Sequence, residues 1–398
     1  MRRHVLGWTA GAACVAAVAV AVLATRRAPH AGGSPIDPRG GWHAAWIVSC
    51  LAALALSGVA VLLARSGALR LRTAIAVAVV VQALPLAAPL LLSQDAFLYW
   101  AEARVITVHH ANPYRVTPSR YPGDPGTQAA SRQWRTEKEP YGPAWAAVGT
   151  VPALTAGHSA DRAQLGYRAL AFVCMLGILG LLVLRTRSPA SVALLGWNPL
   201  IALHYAGGGH SDAVLILALV GALVLGATAA GGAVWPVAAM FKPFPLVFLP
   251  LEVARRRLRM PKAFWVGLAA SAVILVVAAA AAFGTAWVSA SVVGVHGTSP
   301  IGGVHFLTES GLRHRYAVAI GGLLFVAVYA VLLRTAWERG RPHLGFAAAA
   351  LCMCSSLLRP WYALWPLALG ALEEDGLSMS AAYALAAYVL VADALPTW

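Results

Sequence analysis

Long apolar runs, cut apart by short clusters of arginine, constrain this chain more than any other feature of its sequence. A hydrocarbon core of about 30 Å takes roughly 20 apolar residues per helical crossing. Residues 5–25, 42–64, 71–92 and 263–283 each reach that length. Further runs cover 163–184, 190–206, 213–230, 316–334, 343–358, 361–372 and 377–395. Backbone groups in lipid must pair within their own segment, so the crossings are expected to be helices. Together they predict an all-α, polytopic membrane protein with about 11–13 transmembrane helices in a single domain, 1–398.

Composition decides what the charges mean. Of 398 residues, 60% are hydrophobic and 11% charged, against roughly 25% charged in a soluble domain. Mean hydropathy is +0.70. The net charge of +15 comes almost wholly from arginine, with lysine at 138, 242 and 262. The basic residues sit between apolar runs: Arg2-Arg3, Arg65/Arg70/Arg72, Arg185/Arg187, Arg255–Arg259 with Lys262, and Arg334/Arg339/Arg341. That spacing marks cytoplasmic loops by the positive-inside rule and not a nucleic-acid surface. Cys14, Cys50, Cys174, Cys352 and Cys354 all fall inside apolar runs and read as small hydrophobes. The run 5–25 begins like a signal peptide but is long for one. Arg26-Arg27 stand where a small-residue cleavage site would be, so a retained first helix is expected.

Charge and parity give a topology. With Arg65–Arg72 in the cytoplasm, the run 71–92 exits and the polar insert 93–160 lies outside. Residues 207–212 and a second loop, 284–314, fall on the same outer side. Segment 232–252 must make an even number of crossings. Its Phe241-Lys242-Pro243-Phe244-Pro245 stretch forbids a continuous helix, which predicts a broken or re-entrant pair. The loop 26–41, with Arg26, Arg27 and Arg39, would also be outside, against the charge rule.

The insert 93–160 exceeds a connector, and its aromatic content argues against disorder. Residues 95–109 are expected to form an interfacial helix. Asp95, Tyr99, Glu102 and Ile106 share one stripe, and Phe97, Trp100, Ala101, Arg104 and Val108 turn toward lipid or headgroups. Prolines 113, 118, 122 and 125 impose extended or turn structure beyond it.

Asp95 follows an apolar run directly, where an acid is costly unless used or solvated. It is either functional or the N-cap of the helix it opens. Gly207-Gly208-Gly209-His210-Ser211-Asp212 lets backbone approach a ligand closely, or serves as a turn that caps the next helix. Lys242, at a helix break, faces a polar cavity or anion, or else snorkels to an interface. Arg359-Pro360-Trp361-Tyr362 sits at an outer boundary, where an aromatic anchor belt is the competing reading. Glu139 and Tyr141 lie in the Glu137–Pro143 stretch, with Glu139 a candidate second carboxylate and Glu137 and Lys138 solvated. His296, His305 and His314 lack the spacing of a zinc site.

In order, Gln94-Asp95, Asn112-Pro113-Tyr114, Pro140-Tyr141-Gly142-Pro143, Trp197-Asn198-Pro199, Gly209-His210-Ser211-Asp212, Lys242-Pro243 and Arg359-Pro360-Trp361-Tyr362 form a set. Over roughly residues 85–370 it resembles the C-type membrane glycosyltransferases. The nearest resemblance is to polyprenol-phosphate-mannose-dependent α-1,6-mannosyltransferases of lipoglycan assembly. The resemblance implies Asp95 as catalytic base, a polyprenyl-phosphate sugar donor, a glycan or lipoglycan acceptor and an extracytoplasmic site in the plasma membrane. Tyr99, Glu102, Glu139, Tyr141, His210, Asp212, Lys242, Arg359 and Trp361 become candidates to bind substrate. Lys242, His210 and Arg359 are the candidates for the donor phosphate. No ligand set demands a cofactor, and a divalent metal held by Asp95 and a second acid stays open. The alternatives are another lipid-phosphate sugar, arabinofuranose or glucose, and, from a different class, a secondary transporter or lipid-carrier flippase. The latter usually carries inverted repeats, and the sequence has none visible.

Overall fold

The computed structural model describes residues 2–27, 41–293 and 299–394. Residues 28–40, which form most of the loop 26–41, and His296 lie outside them. The regular structure among the described residues is all helical, with no strand. In chain order the α-helices are α1 (Arg2–Arg27), α2 (Gly41–Arg65), α3 (Leu71–Ala83), α4 (Asp95–Thr107), α5 (Pro125–Ala129), α6 (Pro143–Val148) and α7 (Thr150–Ala156). Next come α8 (Ala160–Thr186), α9 (Pro189–Gly196), α10 (Pro199–Tyr205), α11 (Asp212–Leu225), α12 (Ala229–Ala239) and α13 (Phe248–Arg255). The rest are α14 (Lys262–Phe283), α15 (Ala286–Val293), α16 (Gly303–Glu309), α17 (His314–Arg339), α18 (Leu344–Cys354), α19 (Leu364–Glu373) and α20 (Gly376–Ala394).

Among the described residues five helices are long and apolar enough to cross a membrane: α1, α2, α8, α14 and α17. Helices α14 and α17 expose apolar side chains on most sides, as lipid-facing helices must. Other runs are broken, and proline explains where. The run 71–92 leaves α-helix at Ala83, tightens into a 3-10 turn at Leu84–Ala87 around Pro85, and continues as irregular chain to Asp95. The run 190–206 splits into α9 and α10 at Trp197-Asn198. Pro199 opens α10, the Asn198 side chain accepts the Leu200 N–H at 3.1 Å, and Trp197 Nε1 donates to Ala74 O at 3.0 Å. Between Ala239 and Phe248 the chain forms a turn and a 3-10 segment, Phe244–Val247. Helix α12 packs on α14 through Gly232 and Gly267, where an added Cβ would meet Phe264 O at 2.0 Å and Ala229 O at 2.1 Å.

Contacts gather the basic clusters at one end of the bundle. Arg65 reaches Met379, and Arg257 donates to Trp337 O and Glu338 O. A Cβ on Gly226 would lie 3.3 Å from Arg256, so the chain returns at 256 to the end it left at 226. Three acids are held at this end, and Glu373 caps a helix there. Glu373 accepts the Leu344 and Gly345 N–H groups at 2.7 and 3.1 Å, Glu374 accepts from Ser191 Oγ at 3.2 Å, and Asp375 pairs with His343 at 2.8 Å.

The insert folds back over α4, and this corrects the expectation for that helix. Trp100, Ala101 and Arg104 are buried and do not face lipid or headgroups. The reason is the polar clip that closes over them. Arg104 Nε donates to Asp124 at 2.8 and 2.9 Å, and Nη1 donates to Gly157 O at 2.6 Å. His109 meets Asp124 at 2.9 Å and stacks on Tyr121. The Arg104 stem supplies apolar cover while its Nε and Nη1 are paired.

Candidate active site

Irregular chain after α3 delivers Asp95 to the start of α4. Leu92 turns it in a left-handed conformation, φ 60°, which is uncommon for a branched residue. Leu91 N–H donates to Gly207 O at 3.0 Å, joining this connection to the glycine turn. Asp95 is the first helical residue, with Gln94 at the cap position. Its side chain does not cap the helix, and its own N–H donates to Ser93 Oγ at 3.1 Å. Its carboxylate is 19% exposed and lies 3.3 Å from His210 Nδ1. Burial alone would raise the Asp95 pKa. The hydrogen bond and charge of His210, with Ser93 and the charge of Arg359, outweigh it and hold the carboxyl below its ordinary value.

The glycine turn is held from behind. Arg168 is buried in α8 and donates to Ala206 O at 2.9 Å and to Pro85 O. Gly209 has φ 75°, and an added Cβ would lie 3.3 Å from backbone of Tyr167 and Arg168, closer than ordinary van der Waals contact. The turn presents His210, whose ring stacks on Trp361 with centroids 3.8 Å apart. Tyr205 OH donates to Trp361 O at 2.8 Å and fixes that partner.

Asp212 begins α11 and is 1% exposed. Lys242 Nζ donates to its two oxygens at 3.0 and 2.9 Å, and Trp365 Nε1 donates at 3.0 Å. An aromatic box closes round the ammonium, with Tyr141 and Tyr362 rings 5.1 and 5.2 Å away. Lys242 therefore neither snorkels to an interface nor meets an open anion site; its charge is matched by Asp212.

The turn from Glu139 to Pro143 sets Tyr141. Gly142 N–H donates to Phe241 O at 2.9 Å and Ala144 N–H to Met240 O at 3.1 Å. A Cβ on Gly142 would lie 2.0 Å from Met240 O, so glycine lets the insert dock directly on the helix break. Tyr99 OH lies 3.4 Å from both Tyr141 OH and Ser211 Oγ. Tyr141, Trp145, Ser211, Asp212, Leu215, Phe241 and Lys242 line a tight crevice between the insert and the helix break.

The structure thus brings Asp95, Tyr99, Tyr141, His210, Asp212, Lys242, Arg359 and Trp361 into one region, Arg359 through its charge on Asp95 and its place over the Trp361 ring. Glu102 and Glu139 are 2% exposed and line no open surface. Glu137 and Lys138 are exposed, as is His314. Ser211, Trp145, Tyr362 and Trp365 also belong to the region; Ser211 and Tyr362 stood within the sequence motifs but not among the candidate site residues, and Trp145 and Trp365 stood outside both. Trp365 carried a signal, since it falls one helical turn after Trp361. Asp95 and His210 offer two donors to a cation. Among the described residues no group of three or more His, Cys, Asp or Glu side chains could hold a metal ion.

Comparison with known proteins fits this arrangement. The family model for alpha-(1->6)-mannopyranosyltransferase, N-terminal domain, matches residues 4–255, a span that includes Asp95, His210, Asp212 and Lys242. Alpha-(1->6)-mannopyranosyltransferase A of Mycobacterium tuberculosis is 28% identical over 354 residues, covering 76% of this chain and 67% of that protein. No solved structure matches. This membership sets the transporter alternative aside and supports glycosyltransferase activity. The chain belongs to the alpha-(1->6)-mannopyranosyltransferase family.

Proposed function

We propose that this chain is an inverting transferase that moves a mannosyl residue from a polyprenyl-phosphate donor to a glycan or lipoglycan acceptor, with Asp95 as general base. The observation that carries this reading is the Asp95 carboxylate, 3.3 Å from His210 and still reachable from solvent at 19% exposure. Held below its ordinary pKa, it stays ionised and ready to accept a proton. The acceptor hydroxyl gives its proton to Asp95 as its oxygen bonds to the anomeric carbon. The bond from that carbon to the phosphate oxygen breaks, and polyprenyl phosphate leaves with the electron pair. A phosphate leaving group needs charge stabilisation more than a proton. Arg359, which pairs with no acid among the described residues, is the cation for it. Lys242 serves instead to hold Asp212. A double displacement would need a second matched carboxylate, and Asp212 is occupied by Lys242 and Trp365.

The site is extracytoplasmic in this reading, within a plasma-membrane protein. Helix α11 runs from Asp212 to Leu225, and Gly226 beyond it adjoins Arg256. The basic end is cytoplasmic by the positive-inside rule, and Asp212 starts the same helix at the other end. The insert 93–160 and the loop 284–314 are then outer, and 232–252 is re-entrant.

Membranes containing the chain, given labelled polyprenyl-phosphate mannose, arabinofuranose or glucose, test this directly. Mannose is expected to reach glycan from the lipid donor. Label passing only from a nucleotide sugar, or only from another lipid-phosphate sugar, would overturn the donor assignment.

A further inference from the structure

Glu102 and Glu139 are both 2% exposed, and neither forms an ion pair with a basic side chain among the described residues. No N–H or O–H placed in the structure reaches either Glu102 oxygen. What faces Glu102 is the carboxyl of Glu139. Two ionised carboxylates in contact at this depth, without a cation, would cost several kcal/mol. One proton between them turns the repulsion into a charge-assisted O–H···O bond.

We propose that Glu102 carries this proton and donates it to Glu139, forming a positioning pair that fastens the Glu139–Gly142 turn to α4 and so sets Tyr141 over Lys242. The remaining bonds of the turn agree. Glu139 N–H donates to Pro113 O at 3.2 Å, and Glu139 Oε1 accepts the Tyr141 N–H at 3.1 Å. Tyr114 OH donates to Tyr141 O at 2.9 Å, and Gly142 N–H donates to Phe241 O at 2.9 Å. The pair touches no substrate; it acts through Tyr141 and the helix break. Burial, then the charge and hydrogen bond of Glu139, push the Glu102 carboxyl well above its ordinary value. Burial raises Glu139 to about 7, partly offset by the Tyr141 N–H and by Glu102. Glu139 thus ionises near neutrality while Glu102 keeps its proton. The other groups facing the pair are Asp95, whose charge raises Glu102 further, and the phenols of Tyr114 and Tyr167.

The activity readout rests on the glycosyl-transfer reading above, and a second readout does not. Glu102→Gln keeps a donor toward Glu139, and Glu102→Leu removes it. Gln is expected to restore transfer to within about threefold of wild type, where Leu loses about tenfold or more. Trypsin is expected to cut after the exposed Lys138 in Glu102→Leu about tenfold faster than in wild type or Glu102→Gln. The wild-type pH–rate profile should bend near 7, and that bend should vanish in Glu139→Gln. Loss of transfer by Glu102→Gln as complete as by Glu102→Leu would overturn the proposal, because it would make the ionised carboxylate the working form. So would Glu102→Leu that transfers and resists trypsin like wild type. A wild type with no transfer from the lipid donor would sink the function reading instead, and the trypsin comparison would still decide the pair.

Discussion

Lys242 donates to both carboxylate oxygens of Asp212, at 3.0 and 2.9 Å, and so ties the helix break after α12 to the first turn of α11. The pair sits among Tyr141, Tyr362 and Trp365 with Asp212 at 1% exposure. Each charge is affordable only because the other is present.

Breaking the pair from one side is therefore expected to cost about 3–5 kcal/mol. Lys242→Met and Asp212→Asn should each lower the thermal midpoint in detergent. The double variant should lose markedly less than the two single losses added together, since it leaves no unpaired charge. Strict additivity would mean that the two residues do not depend on each other.

Gly142→Ala places a Cβ 2.0 Å from Met240 O, a backbone atom that cannot step aside without moving the helix break. Transfer is expected to fall by about 100-fold, in line with the cost of displacing a positioned group by an ångström. Gly123→Ala is the control, because nothing lies within 4 Å of its added Cβ. Equal rates for the two variants would contradict the docking of insert on break.

The clip over α4 has a pH dependence of known sign. Burial alone would raise Asp124. Hydrogen bonds from Arg104, His109 and Gly126 N–H, with the Arg104 charge, bring it below its ordinary value. A depressed carboxyl contributes stability above the ordinary carboxylate pKa, lost as pH falls through the lower native value. Hydrogen-exchange protection of residues 118–136 should hold at neutral pH and decline below about pH 4. Asp124→Asn should lose that protection at neutral pH, and protection unchanged by the substitution would contradict the clip.

The residues most legible in the sequence were charges in the wrong place. Asp95 after an apolar run, Lys242 inside a broken one and His210-Ser211-Asp212 after three glycines each violate the composition around them, and the structure brings them together. The long uninterrupted spans were equally readable, as α1, α2, α8, α14 and α17. What escaped was whatever depended on distant chain. The stripe over 95–109 gave the helix, but Trp100, Ala101 and Arg104 are buried by residues 124–157 folding over them, which no local periodicity reports. Glu102 and Glu139 looked like binding acids because an acid in an insert looks available, and their mutual contact closes them off. Trp365 reads as core by pattern, and only Asp212 reveals the use of its indole N–H. The breaks at Pro85 and Pro199 were present as prolines inside apolar runs, and were outweighed by the length of those runs.

In the proposed reaction Asp95 takes the proton of the acceptor hydroxyl. Asp95→Asn keeps the size of the side chain and its place beside His210 while removing the base. In membranes that hold variant and wild type at equal, correctly inserted levels, initial transfer from labelled polyprenyl-phosphate mannose is the measurement. A loss of about 100-fold or more in rate, with donor binding little changed, is the predicted result. Transfer by Asp95→Asn close to the wild-type rate would rule out Asp95 as the base.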